Sequence, residues 1–111
     1  MAGRAPITTH ILDLVHGRPA AGISVRLFAD DRLLSSGVTN KDGRVEDWQE
    51  SFSVAPGKHR LEFDVAPWFS ARGESSFYED VHISFRVADT SEHFHVPLLL
   101  SPFGYSTYRG S

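Results

Sequence analysis

Histidines are the side chains of this sequence best suited to proton transfer near neutral pH. The sequence contains no cysteine. Without cysteine, disulfides, thiolate catalysis and thiolate metal sites are excluded, so catalysis must use His, Arg, Ser, Tyr or carboxylates. Imidazole changes its charge near neutral pH and is the natural general base or acid there. His93 and His95 stand two residues apart in HFHV, and His10 lies in TTHIL. Taken singly, a histidine on a strand is more often a solvated or hydrogen-bonded residue than a catalytic one.

The spacing of His93 and His95 also raises the possibility of a zinc site. Zinc needs three or four ligands, held in turn by supporting hydrogen bonds. No convincing third ligand stands at motif spacing in the sequence. We therefore expect neither a metal nor a cofactor.

Arg44 and the last four residues add further groups that could do chemistry. Arg44 and Arg109 supply cations, Tyr108 and Ser111 supply hydroxyl groups, and the end of the chain supplies a carboxylate. Arg44 follows the turn dipeptide Asp42-Gly43, where a solvated charge beside a hairpin is the ordinary explanation. The segment YSTY at 105–108 favours a strand that runs into the tail, Tyr108-Arg109-Gly110-Ser111. A chain end frays unless it is tied down, and we expect the last strand to carry order into this tail.

Strands joined by turns are the elements that must position these residues. Segments rich in β-branched and aromatic residues alternate with clusters of Gly, Pro, Asn and Asp, which is typical of an all-β fold. The predicted strands are 7–15, 22–29, 32–39, 44–47, 58–65, 77–88, 93–101 and 104–109. Their number and spacing favour a sandwich or a barrel. One short peripheral helix is predicted over 66–73.

Alternation along the strands divides the histidines from the core. Side chains of a strand point alternately to its two faces, so Phe94, Val96, Leu98 and Leu100 form the apolar core face of the seventh predicted strand. His93 and His95 share the opposite face with Pro97 and Leu99. In the first strand, His10 and Leu12 lie opposite Ile11, Asp13 and Val15. We therefore expect His10 and His95 outside the core.

Length, composition and charge limit the classes of protein that remain. A chain of 111 residues without repeats or linkers indicates a single domain, residues 1–111. A net charge of −3 lacks the basic excess that binds nucleic acid. No stretch approaches the roughly 20 apolar residues of a membrane span, and no signal-peptide core is seen. We expect a cytoplasmic protein; peroxisomal import is left open, although RGS is not the address S-K-L.

Two segments resemble the signatures of the transthyretin superfamily. HILDLVHGRPAAGISV at 10–25 is similar to the N-terminal signature, and HFHVPLLLSPFGYST at 93–107 to the C-terminal one. TNKDGRV and the PWF helix fall between them in matching order. The resemblance covers nearly the whole chain. It implies a transthyretin-like sandwich of two four-stranded sheets with one short helix, assembled as a homotetramer, a dimer of dimers, around a central channel.

Four markers favour the 5-hydroxyisourate hydrolase branch over the hormone carriers of that superfamily. They are His10, Arg44, His95 and the tail from Tyr108 to Ser111. The resemblance implies hydrolysis of 5-hydroxyisourate to 2-oxo-4-hydroxy-4-carboxy-5-ureidoimidazoline in purine and urate breakdown, with sites at a subunit interface. The alternatives are a transthyretin-like carrier of a small ligand and a purely structural assembly module.

The roles implied by the resemblance fall to the marker residues. The catalytic residues would be His10 as general base, His95 as the group that orients water or protonates the leaving nitrogen, and Arg44 as the clamp on the developing negative charge. The two histidines could exchange roles. The residues expected to bind substrate are His10, Arg44, Tyr108, Arg109 and Ser111. A covalent role for Ser111 is disfavoured, because no Ser-His-Asp arrangement is evident.

Overall fold

The computed structural model describes residues 5–111, which form two β-sheets and one short helix. Within this range there are nine strands: β1 Ile7–Asp13, β2 Arg18–Pro19, β3 Ser24–Ala29, β4 Arg32–Val38, β5 Arg44–Val45, β6 Gly57–Phe63, β7 Val81–Val87, β8 Phe94–Ser101 and β9 Gly104–Thr107. The helix α1 spans Val65–Ala71. Among the described residues, no helix has the length and hydropathy needed to cross a membrane.

The first sheet joins distant parts of the chain. Its order is β2-β1-β8-β9, and β5 also pairs with β1. β1 and β8 run parallel, whereas its other strand pairs are antiparallel. The second sheet, in the order β4-β3-β6-β7, is antiparallel throughout. The parallel pair in the first sheet is therefore what brings the two ends of the chain together.

The core lies between the inward faces of the two sheets. The predicted core face of β8, consisting of Phe94, Val96, Leu98 and Leu100, is buried, which confirms the alternation read from the sequence. Ile7 and Ile11 of β1 are fully buried beside it. Apolar surface removed from water in this way contributes about 25 cal/mol per Å² to folding. The outward positions of β1 and β8 are thereby left for the polar residues of the site.

The all-β sandwich of two sheets with one short helix is confirmed, but the sheet containing β1 has five strands rather than four. β2 and β5 are each two residues long and both pair with β1. The sequence gives no strand signal over Arg18–Pro19. These two residues pair with β1 because the turn after β1 brings the chain back beside it, and not because of their β propensity. β5 also ends earlier than the predicted strand 44–47.

The predicted strand 77–88 begins only at Val81. The backbone N–H of Phe77 donates to the carbonyl oxygen of Pro102, and the carbonyl oxygen of Glu79 accepts from Ala66. These residues thus bond to a loop and to the start of α1 instead of to a neighbouring strand. Alternation from β7 would turn Phe77 inward, but Phe77 is 72% exposed and Tyr78 is half-buried, so the strand pattern does not continue through this segment.

The helix is less peripheral than predicted. Val65, Trp68 and Phe69 are buried, and the indole N–H of Trp68 donates to the carbonyl oxygen of Ala21 at 2.8 Å. Its short length suggested a surface turn. Trp68 and Phe69 instead belong to the buried core, where large aromatic rings bury much apolar surface.

Candidate active site

His10 and His95 lie on the outer face of the five-stranded sheet, as alternation predicts. Thr8 is the partner of His95 in the parallel pairing, and His10 is the partner of Pro97. The two histidines are therefore diagonal neighbours on adjacent strands. Both are half-buried. The parallel pairing, which the sequence did not reveal, is what brings them together.

Arg44 stands directly opposite His10 on β5. Directly opposed residues of an antiparallel pair lie on the same face, with their Cβ atoms about 5 Å apart. The turn before β5 fixes this position: the side-chain oxygen of Asn40 accepts the backbone N–H of Asp42 at 2.9 Å and of Arg44 at 3.0 Å. The guanidinium group is therefore carried by a well-bonded turn rather than by a free loop.

Gly43 is required by this turn for two reasons. Its φ is +74°, in the left-handed region that disfavours side chains. The turn lies close to β1, because the N–H of Ile11 donates to the carbonyl oxygen of Gly43 at 2.7 Å. A Cβ atom built on Gly43 would therefore lie only 2.5 Å from the carbonyl oxygen of Ile11. The Asp-Gly dipeptide thus allows the turn to press against β1 and places Arg44 beside His10.

The surroundings of His10 favour its neutral form. Partial burial lowers the pKa of His10 below its ordinary value, and the positive charge of Arg44 lowers it further. The backbone and carboxylate of Asp42 and the carboxylate of Glu46 act in the opposite direction but do not reverse the shift. A neutral imidazole at pH 7 has a lone pair with which to accept a proton. His10 is thus in the state that a general base requires.

His95 is held by a residue that sequence reasoning missed. Its Nδ1 atom lies 2.8 Å from the hydroxyl oxygen of Thr8, which also lies 2.9 Å from Nε2 of His93. The two imidazole rings stack at 6.5 Å between centroids. Alternation in TTHI could have placed Thr8 on the face of His10, but only the parallel register places it beside His95.

The tail returns to His95 through Gly110. Its N–H donates to the carbonyl oxygen of His95 at 2.8 Å and forms an isolated bridge with that residue. A Cβ atom at Gly110 would lie 2.7 Å from Cδ2 of His95, so the glycine backbone packs against the imidazole edge. The expectation that order extends into the tail is met at this point.

Arg109, which the resemblance assigns to substrate binding, makes its contacts in the single chain on the other side of β8. Its guanidinium binds the carboxylate of Glu92 at 3.2 Å and lies 4.7 Å from the ring centroid of Phe94, a residue of the core face. It also donates to the carbonyl oxygen of His93 at 3.4 Å. Within the single chain, Arg109 therefore lies with the inward side of β8 and not with His10 and Arg44. Residue alternation in the tail gives the physical reason, since Gly110 faces the imidazole and its neighbour faces away.

Tyr108 and Ser111 are exposed in the single chain, Tyr108 by 56%.

No group of three or more His, Asp or Glu side chains among the described residues is arranged to hold a metal ion. The site is thus an open sheet face with a neutral imidazole, an opposed guanidinium and a second imidazole. Such a set can take a proton from water, stabilise an anionic oxygen and return a proton to a leaving group.

The family model described as HIUase/Transthyretin family matches residues 7–110. The chain belongs to this family. The 5-hydroxyisourate hydrolase of Deinococcus radiodurans is 43% identical to it over 119 aligned residues, which cover all of both chains. The resemblance read from the two signature segments is thereby confirmed.

Solved structures of both branches of the family share the fold. The 5-hydroxyisourate hydrolase of Klebsiella pneumoniae matches with a TM-score of 0.84 and 36% identity, covering 95% of this chain and 92% of that one. Transthyretin from Sparus aurata matches with a TM-score of 0.85 and 28% identity, covering 96% and 97%. The fold alone therefore does not separate hydrolase from carrier, and the side chains of the site must do so.

Proposed function

We propose that this protein hydrolyses 5-hydroxyisourate to 2-oxo-4-hydroxy-4-carboxy-5-ureidoimidazoline in the breakdown of urate. The observation that carries the proposal is the placement of His10 opposite Arg44 on the face that also holds His95. The relatives named 5-hydroxyisourate hydrolase, which align over nearly the full length, support it independently. The substrate is a planar, weakly acidic heterocycle rich in oxygen, which suits the guanidinium of Arg44 on this face.

In the proposed reaction, His10 activates the water molecule. Its lowered pKa keeps the imidazole neutral near pH 7, so it can take a proton as the water oxygen bonds to the ring carbonyl carbon. Arg44, held opposite by the Asn40 turn, stabilises the negative charge that develops on the carbonyl oxygen. The carbon–nitrogen bond of the ring amide then breaks.

His95 protonates the departing nitrogen in this scheme. Its Nδ1 atom contacts Thr8, and we assign Nε2 to the substrate. Tyr108 and Ser111 are proposed to contact the substrate as well, since both follow the last strand and are exposed. Arg109 is proposed to bind substrate too; within the single chain its guanidinium contacts Glu92 and Phe94.

We propose that the site is completed in a homotetramer, a dimer of dimers in which the outer sheet face lines a channel. In the single chain, His10 and His95 lie on an open face, and a second copy would exclude water from it. Exposed apolar side chains support assembly: Leu14 and Val15 after β1 and Phe103 in the β8–β9 turn are each more than half exposed. A cytoplasmic location stays a prediction.

A carrier of small apolar ligands is the second candidate, because the transthyretin structures match the fold equally well. Pockets for such ligands are lined mainly by apolar side chains with few polar groups. Here the outer face presents His10, Arg44 and His95. The polar character of this face favours turnover over storage.

The deciding experiment generates 5-hydroxyisourate in situ from urate and follows its decay by ultraviolet absorbance. The protein is expected to accelerate the decay, also after treatment with a chelator. Decay at the uncatalysed rate, with binding of the compound, would support the carrier instead. The variant His82→Gln serves as a control, since His82 is an exposed residue of the other sheet.

A further inference from the structure

The hydroxyl group of Thr8 bridges two imidazole rings. It lies 2.8 Å from Nδ1 of His95 and 2.9 Å from Nε2 of His93. Thr8 is only 4% exposed, so water has little access to this oxygen. Its two ring contacts therefore connect a proposed catalytic residue to a histidine with no assigned role.

The hydrogen count of this bridge restricts the two rings. A threonine hydroxyl has one hydrogen to donate and two lone pairs to accept with. At most one of the two contacts can use the hydrogen of Thr8. At least one imidazole must therefore donate its own N–H to the hydroxyl oxygen, and the tautomer of one ring limits that of the other.

We propose that Thr8 and His93 are positioning residues that relay a proton to His95, an inference that rests on the proposed hydrolysis. Before the step, His93 is an imidazolium whose Nε2–H donates to Thr8, and Thr8 donates to Nδ1 of His95. His95 then carries its own hydrogen on Nε2, facing the substrate. The relay thus holds His95 as a neutral proton donor.

The relay conserves protons. As His95 gives its Nε2 hydrogen to the leaving nitrogen, its Nδ1 takes the hydrogen of Thr8, and Thr8 takes the Nε2 hydrogen of His93. The leaving nitrogen gains one hydrogen, His95 is neutral before and after, and His93 passes from imidazolium to neutral imidazole. The starting state returns when Nε2 of half-buried His95 takes up a proton from solvent after the product leaves. Its Nδ1 hydrogen then passes to Thr8, and the hydrogen of Thr8 returns to Nε2 of His93.

The register explains why the charge is better held on His93 than on His95. Arg44 is opposite His10, which is level with Pro97 of β8. His95 is two residues from that level and His93 is four. A positive imidazolium is repelled less by Arg44 when it lies farther along the strand. The guanidinium of Arg109 donates to the carbonyl oxygen of His93, but it is paired with the carboxylate of Glu92 at 3.2 Å, which offsets its charge.

Neighbouring Thr9 supplies a matched control. It lies on the same strand but points inward, where its hydroxyl donates to the carbonyl oxygen of Val96 at 2.6 Å. Thr8→Val and Thr9→Val each remove one buried hydroxyl from β1 and keep the shape of the side chain. Only the first removes the bridge between the imidazoles.

The first test reads the histidine tautomers directly in ligand-free protein. Long-range proton–nitrogen correlation spectra report which ring nitrogen of each histidine carries hydrogen. Thr8→Val is expected to change the tautomer population of His95 and the protonation of His93, whereas Thr8→Ser and Thr9→Val leave both as in the wild type. Unchanged spectra in folded Thr8→Val would overturn the relay.

The second test separates proton delivery from substrate binding. Thr8→Val is expected to lower kcat at least roughly 10-fold with little change in KM, which is at the low end of effects for acid–base groups. Thr8→Ser should restore it, His93→Gln should match Thr8→Val, and the double variant should lose no more than either single one. Wild-type kcat in both Thr8→Val and His93→Gln would refute the proposal.

The two tests also distinguish this inference from the proposed function. If the wild type fails to hydrolyse 5-hydroxyisourate, the proposed function is wrong, and the tautomer spectra still decide whether the bridge couples the rings. If Thr8→Val does not fold, His93→Gln provides both measurements. Additive losses in the double variant would indicate two separate structural effects and contradict a relay.

Discussion

Arg44 affects His10 in two ways that can be separated at the scale of single residues. Its charge helps to lower the pKa of His10, and its planar fork can hold an anionic oxygen at two points. Lysine at this position would keep the charge but lose the fork. The pair of variants Arg44→Lys and Arg44→Ala therefore distinguishes electrostatics from geometry.

We expect Arg44→Ala to lower kcat/KM for 5-hydroxyisourate about 10²-fold, the scale of a lost oxyanion group. Arg44→Lys should recover only a small part of that loss, because an ammonium group cannot reproduce the two-point contact. Steady-state kinetics with in situ substrate measures both. Full activity in Arg44→Lys would show that charge alone suffices.

The lowered pKa of His10 also predicts how stability depends on pH. Burial, and then Arg44, disfavour the charged imidazole in the folded state, while in the unfolded chain the pKa is about 6.5. Between these two pKa values the unfolded state binds more protons, so the free energy of unfolding falls as pH falls. This contribution is complete above pH 6.5 and declines below it.

Urea unfolding of wild type and His10→Gln between pH 7.5 and 5.0 measures this effect. The wild type should lose more stability than the variant over that range, since glutamine does not titrate. Other titrating groups are common to both proteins and cancel in the difference. Parallel pH curves for the two proteins would contradict a lowered pKa at His10.

At the scale of elements, the turn between residues 40 and 44 is the critical connection. Gly43 combines a φ of +74° with close contact to the carbonyl oxygen of Ile11. Gly17 has a φ of +67° but no atom within 4 Å of a Cβ atom built on it. The two glycines share the backbone strain and differ in the steric conflict.

Gly43→Ala should therefore destabilise the fold by more than Gly17→Ala, which is expected to cost about 1–3 kcal/mol from the left-handed backbone alone. It should also lower kcat/KM, because the turn would move away from β1 and take Arg44 with it. Denaturant unfolding and steady-state kinetics check the two effects. Equal stability of the two variants would mean that the turn relaxes without cost.

At the scale of the whole molecule, the site lies on a face that a single chain leaves open. Electrostatic interactions strengthen when a second surface excludes water. We expect a tetramer in sedimentation velocity, and we expect the specific activity to fall on dilution in parallel with dissociation. Full activity in a monomeric state would place the complete site within one chain.

Much of the fold and part of the site follow from local patterns. Alternation in HFHVPLLL fixed the core face of β8, and the Asp-Gly dipeptide located the turn before Arg44. Alternation also placed His10 outside the core. Each of these features depends on neighbours in sequence, so local chemistry is sufficient to predict it.

Other features depend on which strands pair and in which register, and these were decided only in three dimensions. The parallel pairing of β1 with β8 sets Thr8 beside His95, and no local pattern specifies a register between distant segments. The same holds for Arg109, whose partners Glu92 and Phe94 are far from it in sequence. The sequence by itself therefore determined the chemical groups and their faces, whereas tertiary pairing decided which groups touch, because strand register is a long-range property.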